Sequence, residues 1–188
     1  MTPHVFPPQA YGGFTLVEML VVVALLASLA IVTTPSFVAW QVRDQVDARA
    51  RAMLSTLSYA RSEALRRGVR VTVCRIDSAH RCLPVGETCR SGARDWSCGW
   101  AVMAEQPGSA ALSALRVQPD LAAVSVNGTL SNLTFTPPAG QVIGGFRSFD
   151  VAPRSMSRAT QGNNWRRCIR IAAGGRTRIS DGACGAAS

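Results

Sequence analysis

The chain contains no lysine: all 20 of its basic residues are arginine, in a length of 188. A complete absence of one cation reflects codon usage more than selection. The positions of the arginines therefore carry more information than their number. The formal net charge of +9 favours anionic partners: nucleic acid, acidic lipid or an acidic protein. Histidine is scarce as well, with only His4 and His80. No paired carboxylates and no nucleophile–base motif stand out, so an enzyme is not expected. No Cys-x-x-Cys pair occurs, which argues against structural zinc. Neither a metal nor another cofactor is expected. Internal repeats and low-complexity segments are also missing.

The first 13 residues, MTPHVFPPQAYGG, have neither charge nor an apolar core. A secretory signal would need a basic region, a short apolar stretch and then small residues at a cleavage site. Here the order is reversed: Gly12-Gly13 precede a long apolar run, FTLVEMLVVVALLASLAIVTTPSF. Roughly 20 apolar residues span a bilayer as a helix, so 14–37 is expected to be a transmembrane helix. Its only ionisable residue is Glu18. A carboxylate in lipid is expensive and implies a partner; the alternative is a plain anchor with Glu18 at the interface.

Helical patterning continues over 38–68. Val42, Val46, Met53, Leu57, Ala60 and Ala64 recur at three- and four-residue steps. Arg66 and Arg67 suit the dipole of a last turn, and Gly68 suits the position after it. Pro35 is expected to kink this helix. The remainder, 69–188, reads as a β-rich head. VRVTVCRI alternates as a strand with one buried face. A Cys-rich loop, 77–98, follows; its Arg81, Arg90 and Arg94, with Arg75 just before it, would extend a basic surface. GWAVMAE, SALRVQP, VSVNGTL and NLTFTPP are further strand candidates. Asn127-Gly128 signals a hairpin turn between the last two. Trp96 and Trp100 are assigned to the core, on one strand face. The fold class is α+β: one long helix packed on an antiparallel β-rich head.

The last hairpin, 165–180, permits a register argument. On its first strand Trp165, Arg167, Ile169 and Ile171 share one face, with Arg166, Cys168, Arg170 and Ala172 on the other. On the second, Thr177 and Ile179 oppose Arg176, Arg178 and Ser180. A two-residue loop would set Ile171 against Arg178, and a one-residue change reverses every facing. A three-residue loop, Ala173-Gly174-Gly175, pairs Ile171 with Thr177 and Ile169 with Ile179, and suits a left-handed glycine at its end. Arg170 then faces Arg178, with Arg166 and Arg176 on the same outer side. Like charges directly opposite cost on the order of 0.2–1 kcal/mol. Stability gives no reason for this clustering, whereas phosphate binding does; a solvated face that discourages edge pairing is the plainer alternative.

Six cysteines, all after the apolar run, point to disulfides in an oxidising compartment. Cys168 and Cys184 enclose the hairpin. A bridge between them, with Asp181-Gly182 turning the chain back, would close a loop worth about 3 kcal/mol. The pairing of Cys74, Cys82, Cys89 and Cys98 stays open.

Gly-Gly-Phe-Thr-Leu-Val-Glu before a long apolar helix resembles a type IV prepilin. The resemblance implies that a prepilin peptidase cuts after Gly13 and methylates the new amino terminus of Phe14. It also implies that Glu18 pairs with the amino terminus of a neighbouring subunit. The leader departs from the pattern in offering only His4 where lysine or arginine is usual. YARSEALRRGVRVTVC, WSCGWAVM, LTFTPPAG and GGRTRIS, in that order, are similar to the GspH/FimT branch of pilin-like proteins. This implies a type IV pilin-like fold and a single-pass inner-membrane subunit, its head in the periplasm, that joins other minor pilins or pseudopilins in a filament. The first expectation is a FimT-like minor pilin that binds DNA non-specifically for uptake in transformation. In that group a Gly-Arg-x-Arg ending, matched by Gly175, Arg176 and Arg178, is associated with DNA binding. The alternatives are a GspH-like minor pseudopilin of type II secretion and a minor pilin that primes assembly without a ligand.

Overall fold

The computed structural model describes residues 13–89, 95–109, 111–128, 130–143, 147–155, 160 and 162–185, with the backbone alone over 31–36. The leader, 1–12, and the side chain of Pro35 lie outside the described residues; the backbone is helical through that position, within one helix. The chain divides into two compact units, Met1–Val38 and Ala39–Ser188.

The first unit holds the start of α1, Leu16–Arg67. Thr15 caps it: its hydroxyl accepts from the Glu18 N–H at 3.2 Å. The apolar side chains from Leu16 to Leu29 are exposed. Among the described residues, no helix is long and apolar enough to cross a membrane. The expected span, 14–37, includes the undescribed side chains of 31–36.

In the second unit α1 buries Val46, Met53, Leu57, Ala60 and Ala64 of the expected stripe, adds Ala50 to it and leaves Val42 half-buried. Gly68 closes the helix at φ +66° and donates to the Ala64 carbonyl at 3.0 Å. Glu63 accepts from both Arg66 and Arg67, and these bonds lower its carboxyl to about 2.

Among the described residues, nine strands form two antiparallel sheets. They are β1 (Val71–Arg75), β2 (Trp100–Glu105), β3 (Leu112–Gln118), β4 (Val124–Gly128), β5 (Asn132–Thr136), β6 (Gln141–Val142), β7 (Arg147–Pro153), β8 (Arg167–Ile171) and β9 (Thr177–Asp181). One sheet has the order β3-β2-β1-β5-β6 and the other β4-β7-β8-β9. Val71, Val73, Trp100, Val102, Leu133 and Phe135 from the first meet Val124, Val126, Phe149, Val151, Ile169 and Ile171 from the second, and the helix stripe, in one core.

Three expectations are corrected. Asn127-Gly128 is not a hairpin turn: it lies inside β4, which pairs with β7, while β5 belongs to the other sheet. The glycine is there for space. A Cβ on Gly128 would come within 2.7 Å of the Phe149 ring and of Trp96 Nε1, two rings packed edge to face at 5.0 Å. β1 is buried on both faces, because Cys74 and Ile76 join Ala101 and Met103 in a second cluster on the far side of the sheet. Trp96 is core, but from a 3₁₀ turn over Trp96–Cys98 rather than from the Trp100 strand. β7 is an element the sequence reading passed over, although Phe149 and Val151 alternate there with Ser148, Asp150 and Ala152.

Candidate nucleic-acid interface

The C-terminal hairpin forms in the register that a three-residue loop requires. Ala172 N–H donates to the Arg176 carbonyl at 2.9 Å, and Gly175 N–H to the Ala172 carbonyl at 2.8 Å. Ile171 pairs with Thr177, Ile169 with Ile179, Arg170 with Arg178 and Cys168 with Ser180. Ile169 and Ile171 are buried, so strand parity sends Arg170 and Arg178 to the outer face. Arg176 continues that face past the end of β9, an edge strand. All three arginines are exposed. Among the described residues none of the three pairs with a carboxylate; Arg170 has Ser148 on its other side.

Arg166 departs from the expected cluster. It forks onto Asp150 of β7, with Nε at 3.1 Å from Oδ1 and Nη2 at 2.7 Å from Oδ2. Asp150 also accepts from the Cys184 N–H at 3.2 Å. The Arg166 charge is thus neutralised locally, and the arginine surface contracts to Arg170, Arg176 and Arg178. Asp150 was missed because it lies on the unrecognised β7; its place opposite Cys168 follows once β7 is paired with β8.

Cys168 and Cys184 are bonded, as are Cys74 with Cys82 and Cys89 with Cys98. Gly182, at φ +91°, donates to the Arg166 carbonyl at 2.9 Å and turns the chain back toward Cys168. On the inner face Arg167 is buried and pairs with Asp47 of α1 at 2.6 Å and with Asp181 at 3.1 Å. Gly175 is buried too. At φ +76°, it packs so closely that an added Cβ would lie 2.0 Å from the Gly140 carbonyl oxygen. Gly175, the first residue of the Gly-Arg-x-Arg ending, is thus seated against the Gly140 turn immediately before Arg176.

Of the four arginines expected to extend the surface from the Cys-rich loop, two are described. Arg75 is buried and donates to the Glu87 carbonyl at 2.9 Å. Arg81 pairs with Asp77 at 3.0 Å. Arg90 and Arg94 lie outside the described residues. Gly13, Phe14 and Glu18 stand exposed at the start of the first unit.

Two family matches cover most of the chain. The family described as type II transport protein GspH matches residues 49–175, about two thirds of the chain, and the prokaryotic N-terminal methylation motif matches 9–34. Curated protein sequences give no significant match. Among solved structures, the chain is similar to the type IV minor pilin FimU of Pseudomonas aeruginosa in two crystal forms. In the P65 form the identity is 20% over 71% of this chain and 91% of FimU, with a TM-score of 0.52. In the P21 form it is 20% over 73% and 90%, with a TM-score of 0.53. The FimU likeness concerns the fold: an N-terminal helix packed on antiparallel sheets. The chain belongs to the GspH family of type IV pilin-like proteins.

Proposed function

We propose that the chain is a minor type IV pilin whose C-terminal hairpin binds DNA without sequence preference, for uptake during transformation. The observation that carries this reading is the directly opposed pair Arg170 and Arg178, with Arg176 beside it. These three guanidinium groups share an exposed face, and Asp150, which lies opposite Cys168, is already engaged by Arg166. Phosphate oxygens relieve their mutual repulsion and fit the guanidinium fork.

In the same reading residues 1–13 are a leader removed by a prepilin peptidase after Gly13, and Phe14 becomes the methylated amino terminus. Residues 14–37 anchor the protein in the inner membrane with the head in the periplasm. Glu18 pairs with the amino terminus of a neighbouring pilin when the filament forms. Gly13→Ala is expected to leave the leader attached. Mass measurement of the membrane-purified variant checks this, and a normally shortened product would refute the cut site.

The DNA reading is tested with the full-length protein in detergent and random-sequence duplex in a gel-shift titration at rising salt. Binding should weaken steeply with salt through counterion release. Arg176→Gln with Arg178→Gln should lower affinity roughly tenfold and reduce the salt slope by about two. No binding at low salt, or binding indifferent to the double change, sinks the reading. The second reading, a minor pseudopilin of type II secretion, is favoured by the description of the matching family. There the arginine face would meet an acidic neighbour or cargo, and duplex DNA would not be retained.

A further inference from the structure

The hairpin's arginines have a neighbour on another element. α1 touches β9 where the Ser58 and Thr177 hydroxyls lie 3.3 Å apart. Arg61 comes one turn later on the same helical face, and its side chain runs along the end of the hairpin. Its stem fits a slot floored by two glycines. A Cβ on Gly140 would lie 2.8 Å from Arg61 Cγ, and one on Gly175 would lie 3.2 Å from Arg61 Cδ. Both glycines have positive φ, +64° and +76°. The slot is held together by the Val142 N–H, which donates to the Ala173 carbonyl at 3.0 Å.

The charge at the end of that stem is uncommitted. Arg66 and Arg67, a turn further on, are bound to Glu63. Among the described residues Arg61 has no such acid. Its Nε is buried with no hydrogen-bond partner. The side chain is half-buried as a whole, and neither terminal nitrogen is among the buried atoms left without a partner. A guanidinium whose stem is seated against two glycines, with an orphaned donor and no carboxylate partner among the described residues, calls for an explanation. The residue it packs against is Gly175, which immediately precedes Arg176.

We propose that Arg61 is a further phosphate-contacting residue of this surface, so that the DNA backbone runs from Arg170 and Arg178 past Arg176 and around the hairpin end onto α1. This rests on the DNA reading above. The sequence hides the residue: Arg61 lies more than a hundred positions from the hairpin and looks like one of many solvated arginines on an amphipathic helix.

Arg61→Met keeps an unbranched stem for the glycine slot and removes the charge, whereas Arg61→Lys keeps a charge. In full-length protein titrated with random-sequence duplex, Arg61→Met should melt as the native protein does and reduce the salt slope by about one. Arg61→Lys should retain the native slope. On the native protein, phenylglyoxal labelling read by mass spectrometry should show that DNA protects Arg61 as it protects Arg176. If Arg61→Met keeps the native slope, or Arg61 labels equally with and without DNA, while the Arg176 and Arg178 double variant is impaired, the inference is overturned and the DNA reading stands. If the double variant is unimpaired too, both fall, and an acidic protein becomes the better candidate for the arginine face.

Discussion

Gly175→Ala is expected to destabilise the head by on the order of 3 kcal/mol, the largest effect of any single methyl in the hairpin. Two costs add. The backbone at Gly175 has φ +76°, a left-handed conformation that costs a residue with a Cβ about 1–2 kcal/mol. The new methyl would also lie 2.0 Å from the Gly140 carbonyl oxygen, a backbone atom in a turn that is itself tied to the hairpin. Overpacking of this kind costs about 1–3 kcal/mol. Relief requires the tip to lift from residues 140–142, which displaces Arg176 as well. The control lies one residue away. Gly174 has no positive φ and no atom within 4 Å of an added Cβ, so Gly174→Ala should stay within about 0.5 kcal/mol of the native protein. Thermal melting of the two variants side by side decides it. Equal melting temperatures would show that the tip is not seated as described.

Cys168→Ala with Cys184→Ala should cost about 3 kcal/mol, from closure of a loop with a sequence separation of 16. The other two bridges close separations of 8 and 9. Each halving of a loop reduces the closure term by about 0.6 kcal/mol, so removing either should cost less. The C-terminal bridge has a second effect that loop entropy omits. It places the Cys184 N–H on Asp150, the carboxylate that holds Arg166. Without the bridge the segment after Asp181 leaves the outer face and Asp150 loses one of its donors. Urea denaturation of the double variant should show a lower midpoint and a somewhat steeper slope, because the denatured chain is less compact without the cross-link. A midpoint equal to that of the native protein would leave the bridge with no structural role.

The features legible in the sequence are those set by local periodicity. The helix stripe follows from three- and four-residue spacing. The hairpin register follows from parity and loop length, because of the two- and three-residue loops only the three-residue one puts Ile169 and Ile171 on the same side as Ile179 and Thr177. What escaped depends on chain segments that meet only in the folded head. Asp150 reaches Arg166 because β7 lies beside β8. Arg167 reaches Asp47 across the core, from a position that otherwise looked apolar. Asn127-Gly128 misled because the same dipeptide suits a tight turn and a strand residue with no room for a side chain. Only the approach of Trp96 and Phe149 separates the two. The four-arginine cluster was overcounted for a similar reason: parity places charges on a face but says nothing of an acid arriving from a neighbouring strand.

The bridge between Cys168 and Cys184 also has a mechanical meaning. It makes β8, the tip and β9 a covalent ring, with Arg170, Arg176 and Arg178 all inside it. A pull on an ordinary edge hairpin can peel the outer strand away and pay out the chain behind it. Here a tug at any of the three arginines reaches the sulfur link after the ring's own slack is used up. The load then passes into β8, which is held between β7 and β9 and tied through Arg167 to α1. If the hairpin binds DNA as proposed, a grip built this way sustains tension along the duplex, with little length given up before the head as a whole is strained.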